Sequence, residues 1–428
     1  MNYEQSVAYV DRHIGLGTQP GLGRITELLD LMGRPHEGYP IIHVAGTNGK
    51  TSTSRLATLV LVAHGLTTGT FTSPHLQAIE ERLAVNGRTA TSEEFALAMS
   101  DVAAFADLRE GAGGEPNTYF ELTTAAAFAY FADQAVNAAA LEVGLGGRLD
   151  ATNVVDAEVC VVTSIGKDHT EFLGEDLATI AGEKVAIAGP NAILVTGPLP
   201  REALDVAHQH ARRLGIQHRR YDTDYGIAEY ERVVGGWLVT IDGAETIYPE
   251  IFLPLHGRYQ LTNLAIAIAA CEALVGRKLD VEAVRDAAAV ATAPGRMEPL
   301  AASPFVMVDG AHNADGVETL VESLMEEYPT TKWQVLLGVM GEKNVDLILE
   351  RLAPIARGVV TTAVDSPRAM SSGELAKKVM EILPDVPVVA SESVGHAIDM
   401  ARAEAGVNGA VLVTGSLYLV GKVRGILR

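Results

Sequence analysis

Ile41-Ile-His-Val-Ala-Gly-Thr-Asn-Gly-Lys-Thr-Ser-Thr53 is the stretch on which the reading of the chain turns. An apolar run stops at small and polar residues. Apolar spacing then resumes at intervals of three and four through Leu56, Leu59, Val60 and Ala63, with Gly65 placed to end a helix. The pattern predicts a strand, a glycine loop and a helix. Such a loop aims backbone N–H groups and the positive end of a helix at one point, which favours an anion there. Lys50 adds a full charge suited to the terminal phosphates of a nucleotide, and the hydroxyl of Thr51 or Ser52 could hold the accompanying magnesium. The commoner loop pattern, Gly-x-x-x-x-Gly-Lys-[Ser/Thr], would need glycine at position 44, where Val44 stands. What is present is the compact form Gly46, Thr47, Asn48, Gly49, Lys50, Thr51. Its plain structural alternative is a tight strand-to-helix turn with a solvated lysine.

The chain around this loop has 428 residues, which suggests two or three domains with sizeable packed cores. Its formal charge of −21 disfavours a broad surface for nucleic acid or anionic membrane, since phosphate backbones are held largely by clustered Lys and Arg. An acidic protein that binds a nucleotide must gather positive charge locally through a few basic residues and bound cations, so magnesium is expected. No run of about twenty apolar residues is available to cross a membrane, and Met1-Asn-Tyr-Glu-Gln lacks the basic-then-apolar layout of a secretory signal. A cytoplasmic protein is expected. Cys160 and Cys271 each lie in an apolar setting and read as buried thiols rather than a disulfide or a zinc site.

Working outward, residues 3–33 have the spacing of two short helices, expected to cover one face of a sheet. A strand at 67–71 ends in Thr72-Ser73-Pro74-His75, and in open α/β sheets such residues line the ligand crevice. Helical spacing returns at 92–107 and 118–134, with Phe120 and Glu121 at the start of the second helix. Next, Ala138-Ala-Ala-Leu-Glu-Val143 reads as a buried strand. A carboxylate inside so apolar a strand is costly without a partner, which makes Glu142 a candidate metal ligand, with a structural salt bridge as the alternative. A strand at 159–163 leads to Ser164-Ile-Gly-Lys-Asp-His-Thr-Glu171, dense in groups that could ligate or relay protons, as an exposed polar turn would also be. Lys184, flanked by apolar residues, reads by itself as a snorkelling lysine. Residues 226–254 alternate like hairpin strands around Asp242-Gly243, predicting a small antiparallel sheet. After an alanine-rich helix from 256 to 275 and another at 281–290, the chain breaks at Ala293-Pro-Gly-Arg296 and reads as irregular to Pro304. The domain boundary is placed there, giving domains 1–295 and 296–428. Beyond it strands and helices alternate from 305 to 414, predicting a mostly parallel, doubly wound sheet.

Taken in order, the motifs resemble those of folylpolyglutamate synthase and dihydrofolate synthase, amide ligases related to the muramyl-peptide ligases. They are His43-Val-Ala-Gly-Thr-Asn-Gly-Lys50, Thr72-Ser-Pro-His75, Phe120-Glu121, and Leu141-Glu-Val-Gly-Leu-Gly-Gly-Arg-Leu-Asp-Ala-Thr-Asn153. The series continues with Asp168-His169, Gly182-Glu-Lys184, residues 257–263, Pro294-Gly-Arg296, Asp309-Gly-Ala-His-Asn313, Ser366-Pro-Arg-Ala369 and Gly415-Ser-Leu-Tyr418. It spans nearly the whole chain. The resemblance implies an N-terminal P-loop ATPase-like domain, with a mostly parallel sheet and a small antiparallel one, followed by a C-terminal Rossmann-like α/β domain. It implies that ATP phosphorylates a carboxylate of a pteroate or folate and that L-glutamate then forms the amide. Positioning and cations, rather than a protein nucleophile, are what two approaching anions need.

Position by position, the resemblance implies that Lys50 holds the phosphates and that Thr51 or Ser52, with Ser73 and Glu142, holds one magnesium. It places His169 and Lys184 at a second magnesium, with Lys184 carbamylated so that it offers an anionic oxygen; a monovalent cation is a further candidate. Asn263 and Gln260 are assigned to adenine, Arg296 to the phosphates, and Asp309 with His312 to the nucleotide and glutamate side. Ser73, His75, Phe120 and Glu121 are candidates for the pterin pocket, with loop turn and helix packing as their alternatives, and His43 is left as a structural residue. Many relatives carry glycine after the loop lysine where this chain has Thr51, and Gly341-Glu-Lys-Asn344 is given no role. A monomer acting on small molecules is expected. Two other readings compete: a muramyl-peptide-type ligase, against which Gly415-Ser-Leu-Tyr418 stands, and a nucleotide-dependent switch.

Overall fold

The computed structural model describes residues 1–428 except Glu342, Asp365 and Pro367. Glu342 of the Gly341-Glu-Lys-Asn344 stretch and Pro367 of the Ser366-Pro-Arg-Ala369 motif thus lie outside the described residues. The chain forms two compact units, one of Met1–Pro254 with Leu261–Ala291 and one of Leu255–Gln260 with Thr292–Arg428.

The first unit is built on eight strands: β1 (Ile41–Ala45), β2 (Thr68–Phe71), β3 (Leu83–Val85), β4 (Arg88–Thr89), β5 (Ala138–Glu142), β6 (Val159–Val162), β7 (Ile193–Thr196) and β8 (His218–Arg220). Their order is β4-β3-β2-β5-β1-β6-β7-β8. All neighbours from β2 to β8 in this order pair in parallel, and β3 alone runs the other way, antiparallel to both β2 and β4. β1, β5 and β6 are buried along their whole length, as expected of strands covered on both faces. After β1 the chain crosses to β2, returns through β5 and then moves to the other side at β6. The carboxyl ends of β5, β1 and β6 therefore meet where the order reverses, the usual place for a ligand crevice.

The two N-terminal helices, Tyr3–Asp11 and Gly23–Leu31, correct the expectation that they cover the sheet. They pack chiefly on the helices Ser92–Gly111 and Tyr119–Asp133, forming an outer layer. Tyr9 donates to Asp107 at 2.8 Å, Arg109 donates to Glu27 at 2.8 Å, and Tyr3 meets Phe95 edge-on. Under them Phe71, Phe95, Phe128 and Phe131 are fully buried, each contributing roughly 1.5–3 kcal/mol relative to exposure. The hairpin segment forms a separate three-stranded antiparallel sheet, β9 (Gly226–Val233), β10 (Gly236–Asp242) and β11 (Ile247–Leu253), with Gly243 in the turn between the last two.

The second unit carries β12 (Glu298–Ala302), β13 (Phe305–Val308), β14 (Trp333–Leu337), β15 (Ala356–Thr362), β16 (Val388–Ser391) and β17 (Ala410–Thr414), in the order β12-β13-β17-β14-β15-β16. All pairs are parallel except β12 with β13. The stretch read as irregular before Pro304 is thus a strand. It holds Pro299 and no β-branched residue, and it can pair because it lies on the sheet edge, where a missing N–H is tolerated. Both cysteines are buried free thiols. Among the described residues no helix is long and apolar enough to cross a membrane.

Candidate active site

The glycine loop leaves β1 at Ala45 and enters the helix Lys50–Ala63. Gly46 has φ 150° and Gly49, the residue capping the helix, has φ 87°. A Cβ on Gly46 would lie 1.9 Å from Thr163 Oγ1 and one on Gly49 would lie 2.7 Å from Asn263 Oδ1. The positive φ favours glycine at both positions, and at Gly46 the Thr163 side chain and Ser164 backbone leave no space for a Cβ. The loop is pinned to the segment after β6: Thr47 N–H donates to Ser164 O at 2.9 Å, and Asn48 N–H to Ser164 Oγ at 2.9 Å. The Thr163 and Ser164 hydroxyls both donate to Asn48 O, at 2.6 and 3.0 Å. Ser164 opens the polar stretch that the sequence marks after this strand, whereas Thr163 is not singled out there, although its place at the end of a parallel strand marks it.

Two lysines converge on one loop carbonyl. Lys50 Nζ donates to Gly46 O at 2.9 Å and Thr47 O at 3.2 Å, and Lys184 Nζ donates to Gly46 O at 3.2 Å. Lys184 is buried, and burial together with the Lys50 charge lowers its pKa to about 7, against opposing pulls from Asp168 and Asp150. The helix Leu177–Val185 that carries it ends its regular turn at Ala186. His169 precedes the short helix Thr170–Leu173 with φ 51°, is partly exposed, and lies 3.9 Å from Asp168.

Beside the lysines stands an oxygen cluster. Thr51 Oγ1 donates to Glu142, 2.9 Å from each carboxylate oxygen, and Ser73 N–H donates to Glu142 Oε2 at 3.1 Å. Ser52 is buried one residue further along the helix. Among the described residues no group of three or more His, Cys, Asp or Glu side chains converges to hold a metal. A cation at this place would therefore rest on one carboxylate, hydroxyls, water and phosphate oxygens. That hard, largely borrowed set suits magnesium beside a nucleotide.

The remaining candidates in the first unit fall around the β2 end. His75 Nδ1 accepts from Arg82 Nε at 3.0 Å, and burial with the Arg82 charge lowers the imidazole to about 4, so it is neutral with its proton on Nε2. The Phe120 ring lies against that of Phe71, with centroids 5.8 Å apart and planes tilted by 42°. Glu121 is buried, and its carboxylate is taken up by Arg24 at 2.9 Å, by Asn117, and by the Thr118 N–H of a capping box. Asn263 sits against Gly49, while Gln260 groups with the second unit.

In the second unit the loop after β13 holds Asp309. Its Oδ1 accepts from Ala311 N–H at 2.7 Å, and its Oδ2 from Met297 N–H at 2.8 Å and from the Tyr259 hydroxyl at 3.3 Å. Burial raises its pKa, and Arg296 is the largest opposing influence. A Cβ on Gly310 would lie 2.9 Å from Arg296 Nη1. His312 Nδ1 donates to Gly310 O at 2.8 Å. Ala311 O accepts from Gly415 N–H at 3.0 Å, so the ends of β13 and β17 are tied beside these residues.

A strand, glycine loop and helix closed by a hydroxyl–carboxylate cluster make the first unit an α/β domain of the phosphate-loop class, joined in one chain to a second doubly wound sheet. The family model for the Mur ligase middle domain matches residues 44–271, and that for the Mur ligase glutamate ligase domain matches residues 295–417. The dihydrofolate synthase/folylpolyglutamate synthase of Mycobacterium tuberculosis is 37% identical, with 95% of this chain and 89% of that protein covered. That of Bacillus subtilis is 34% identical, with 99% and 98% covered. A crystal structure of Mycobacterium tuberculosis folylpolyglutamate synthase complexed with ADP and AMPPCP superposes with a TM-score of 0.94 at 36% identity, covering 100% of this chain and 99% of that one. The chain belongs to the Mur ligase family, in its dihydrofolate synthase/folylpolyglutamate synthase group.

Proposed function

We propose that this chain is an ATP-dependent carbon–nitrogen ligase that joins L-glutamate to a carboxylate of dihydropteroate and to the γ-carboxylate of a reduced folate. The observation that carries the reading is the convergence of Lys50 and Lys184 on the Gly46 carbonyl, beside Thr51, Glu142 and the Ser73 N–H. An acceptor carboxylate and the γ-phosphate of ATP repel each other, and their approach in an otherwise acidic chain requires positive charge, which Lys50 supplies directly and which Thr51, Glu142 and a carbamylated Lys184 would supply by holding cations. The carboxylate oxygen attacks the γ-phosphorus, ADP leaves, and an acyl phosphate forms. The uncharged amine of glutamate then attacks the carbonyl carbon, phosphate leaves, and the nitrogen gives up a proton. A relative crystallised as an FPGS-AMPPCP-folate complex, with a TM-score of 0.85 at 29% identity, supports the same ligand classes.

In this reading the N–H groups of residues 46–49 and Lys50 bind the phosphates, with Arg296, while Gln260 and Asn263 take the adenine. Thr51, Ser52, Ser73 and Glu142 hold one magnesium, and His169 and Lys184 belong to a second, with room for a monovalent cation. Bound there, the cations neutralise phosphate charge. Lys184 with a pKa near 7 is substantially uncharged at neutral pH, the form of an amine that can take up carbon dioxide as a carbamate. Ser73, His75 and Phe120 face the pterin, and Glu121 acts at one remove by fixing the start of the helix that bears Phe120. Asp309 and His312 serve the nucleotide and glutamate. Residues 1–295 form the ATP-binding ligase domain and 296–428 the C-terminal one, an assignment supported by the family matches at 44–271 and 295–417. The enzyme works as a monomer in the cytoplasm, on small molecules rather than nucleic acid.

Isotope transfer tests the chemistry. An acceptor labelled with oxygen-18 in its carboxylate passes one labelled oxygen to inorganic phosphate if an acyl phosphate forms. Unlabelled phosphate alongside amide product would rule that intermediate out.

A further inference from the structure

Behind the glycine loop runs a buried polar chain that the ligase reading leaves unused. His43, in the middle of β1, is fully buried, and burial lowers its imidazole to about 3, so the ring is neutral. Its Nε2 lies 2.8 Å from Thr152 Oγ1, which lies 2.6 Å from Asp150 Oδ1. Asp150 also accepts from Thr152 N–H at 3.0 Å and, through its other oxygen, from Leu145 N–H at 2.8 Å. With both oxygens accepting, the one proton of the Thr152 hydroxyl goes to the carboxylate, and the hydroxyl oxygen accepts from His43. That fixes the Nε2–H tautomer.

The other ring nitrogen, Nδ1, is buried without a hydrogen-bond partner. An unpaired buried acceptor costs about 1–3 kcal/mol, so packing alone favours an apolar side chain here. The bond from Nε2 is what an imidazole adds. The polar chain ends in residues 144–150, and these lie directly on the helix that carries Lys184. Arg148 N–H donates to Glu183 O at 3.0 Å, and a Cβ on Gly147 would come within 2.6 Å of that carbonyl and 3.1 Å of Lys184 Cα. Lys184 Nζ in turn reaches Gly46 O, at the end of the strand on which His43 sits.

We propose that His43, acting through Thr152 and Asp150, is a positioning residue that locks residues 144–150 against the backbone of Glu183 and Lys184. It thereby holds the Lys184 nitrogen at the Gly46 carbonyl. Its effect on turnover rests on the ligase reading; its effect on the 144–150 loop does not.

Four variants test it. His43→Leu and Thr152→Val break the chain, whereas His43→Gln, whose amide nitrogen reaches the place of Nε2, and Thr152→Ser keep it. Turnover by the breaking pair should fall about tenfold or more, with the KM for ATP within about threefold of wild type, because Lys184 is displaced while the phosphate loop stays. The keeping pair should recover to within about threefold, and His43→Leu should melt no lower than wild type. Hydrogen exchange at the Leu145 and Arg148 amides should quicken in the breaking pair and not in the keeping pair, with β7 amides unchanged in all four. Equal losses in both pairs, or wild-type turnover in the breaking pair, would overturn the proposal, as would unchanged exchange at Leu145 and Arg148. Should His43→Leu not fold, the Thr152 pair decides. If wild type releases no ADP in an acceptor-dependent way, the ligase reading fails, and amide exchange alone decides the relay.

Discussion

The Thr51 hydroxyl is equidistant from the two carboxylate oxygens of Glu142, at 2.9 Å from each. It is the helix's second residue, and the carboxylate comes from the end of the neighbouring strand β5. The contact separates the two hydroxyls that the sequence left as equal candidates for a magnesium ligand. Thr51→Val should raise the magnesium concentration needed for half-maximal ADP release by about tenfold or more, while Ser52→Ala should shift it less than about threefold. A magnesium titration of both variants checks this. The reverse ranking would transfer the ligand role to Ser52.

Lys50 spends its ammonium on two loop carbonyls, Gly46 O and Thr47 O, and none of its bonds there reaches into a core. Lys50→Ala should therefore leave the melting temperature within a few degrees of wild type while lowering kcat/KM by about a thousandfold, ~4 kcal/mol of transition-state stabilisation. ADP production and thermal unfolding measured on the same sample would show the two effects apart. A folded variant with near-normal turnover would remove the loop from the chemistry.

Lys184 gives a pH dependence with a definite sign. Its folded pKa of about 7 lies below the ordinary lysine value of 10.5, so between those pH values the unfolded chain holds a proton that the native protein does not. Stability from this group therefore rises with pH through that window, and below about pH 7 the full cost of the buried charge is present. From pH 7 to 9 the gain should be about 2–3 kcal/mol relative to Lys184→Met, read by denaturant unfolding at each pH. A flat difference between the two proteins would mean that the lysine is not desolvated. In turnover, Lys184→Ala should be inactive and partly rescued by short carboxylates that replace a carbamate oxygen. Full activity without rescue would end its metal role.

Much of this arrangement was legible because the motifs follow simple periodicities. The loop, Glu142 in its apolar strand and the alternation from β13 to β17 were all readable from where apolar runs stop. The β3–β4 hairpin was missed although Asn86-Gly87 joins its strands with φ of 53° and 76°, because the strands are too short to show alternation. β12 was missed because its pairing is set by the neighbouring strand rather than by its own residues. Lys184 could not be told from a snorkelling lysine by its neighbours alone, since the Gly46 carbonyl that receives it lies 138 residues away in the chain. Glu121 is the third residue of its helix, and Thr118 three residues earlier marks the capping box in the sequence, in keeping with the helix-packing alternative given for it.

The most direct measurement is ADP release by the purified protein with ATP, magnesium and L-glutamate, given dihydropteroate or a reduced folate in separate reactions. The account predicts release with either acceptor, dependent on glutamate, with one glutamate added to dihydropteroate and further γ-linked residues added to the folate. Release with neither acceptor, or at the same rate when glutamate is omitted, would contradict it, and release with only one would sink the claim that a single phosphate and glutamate site serves both.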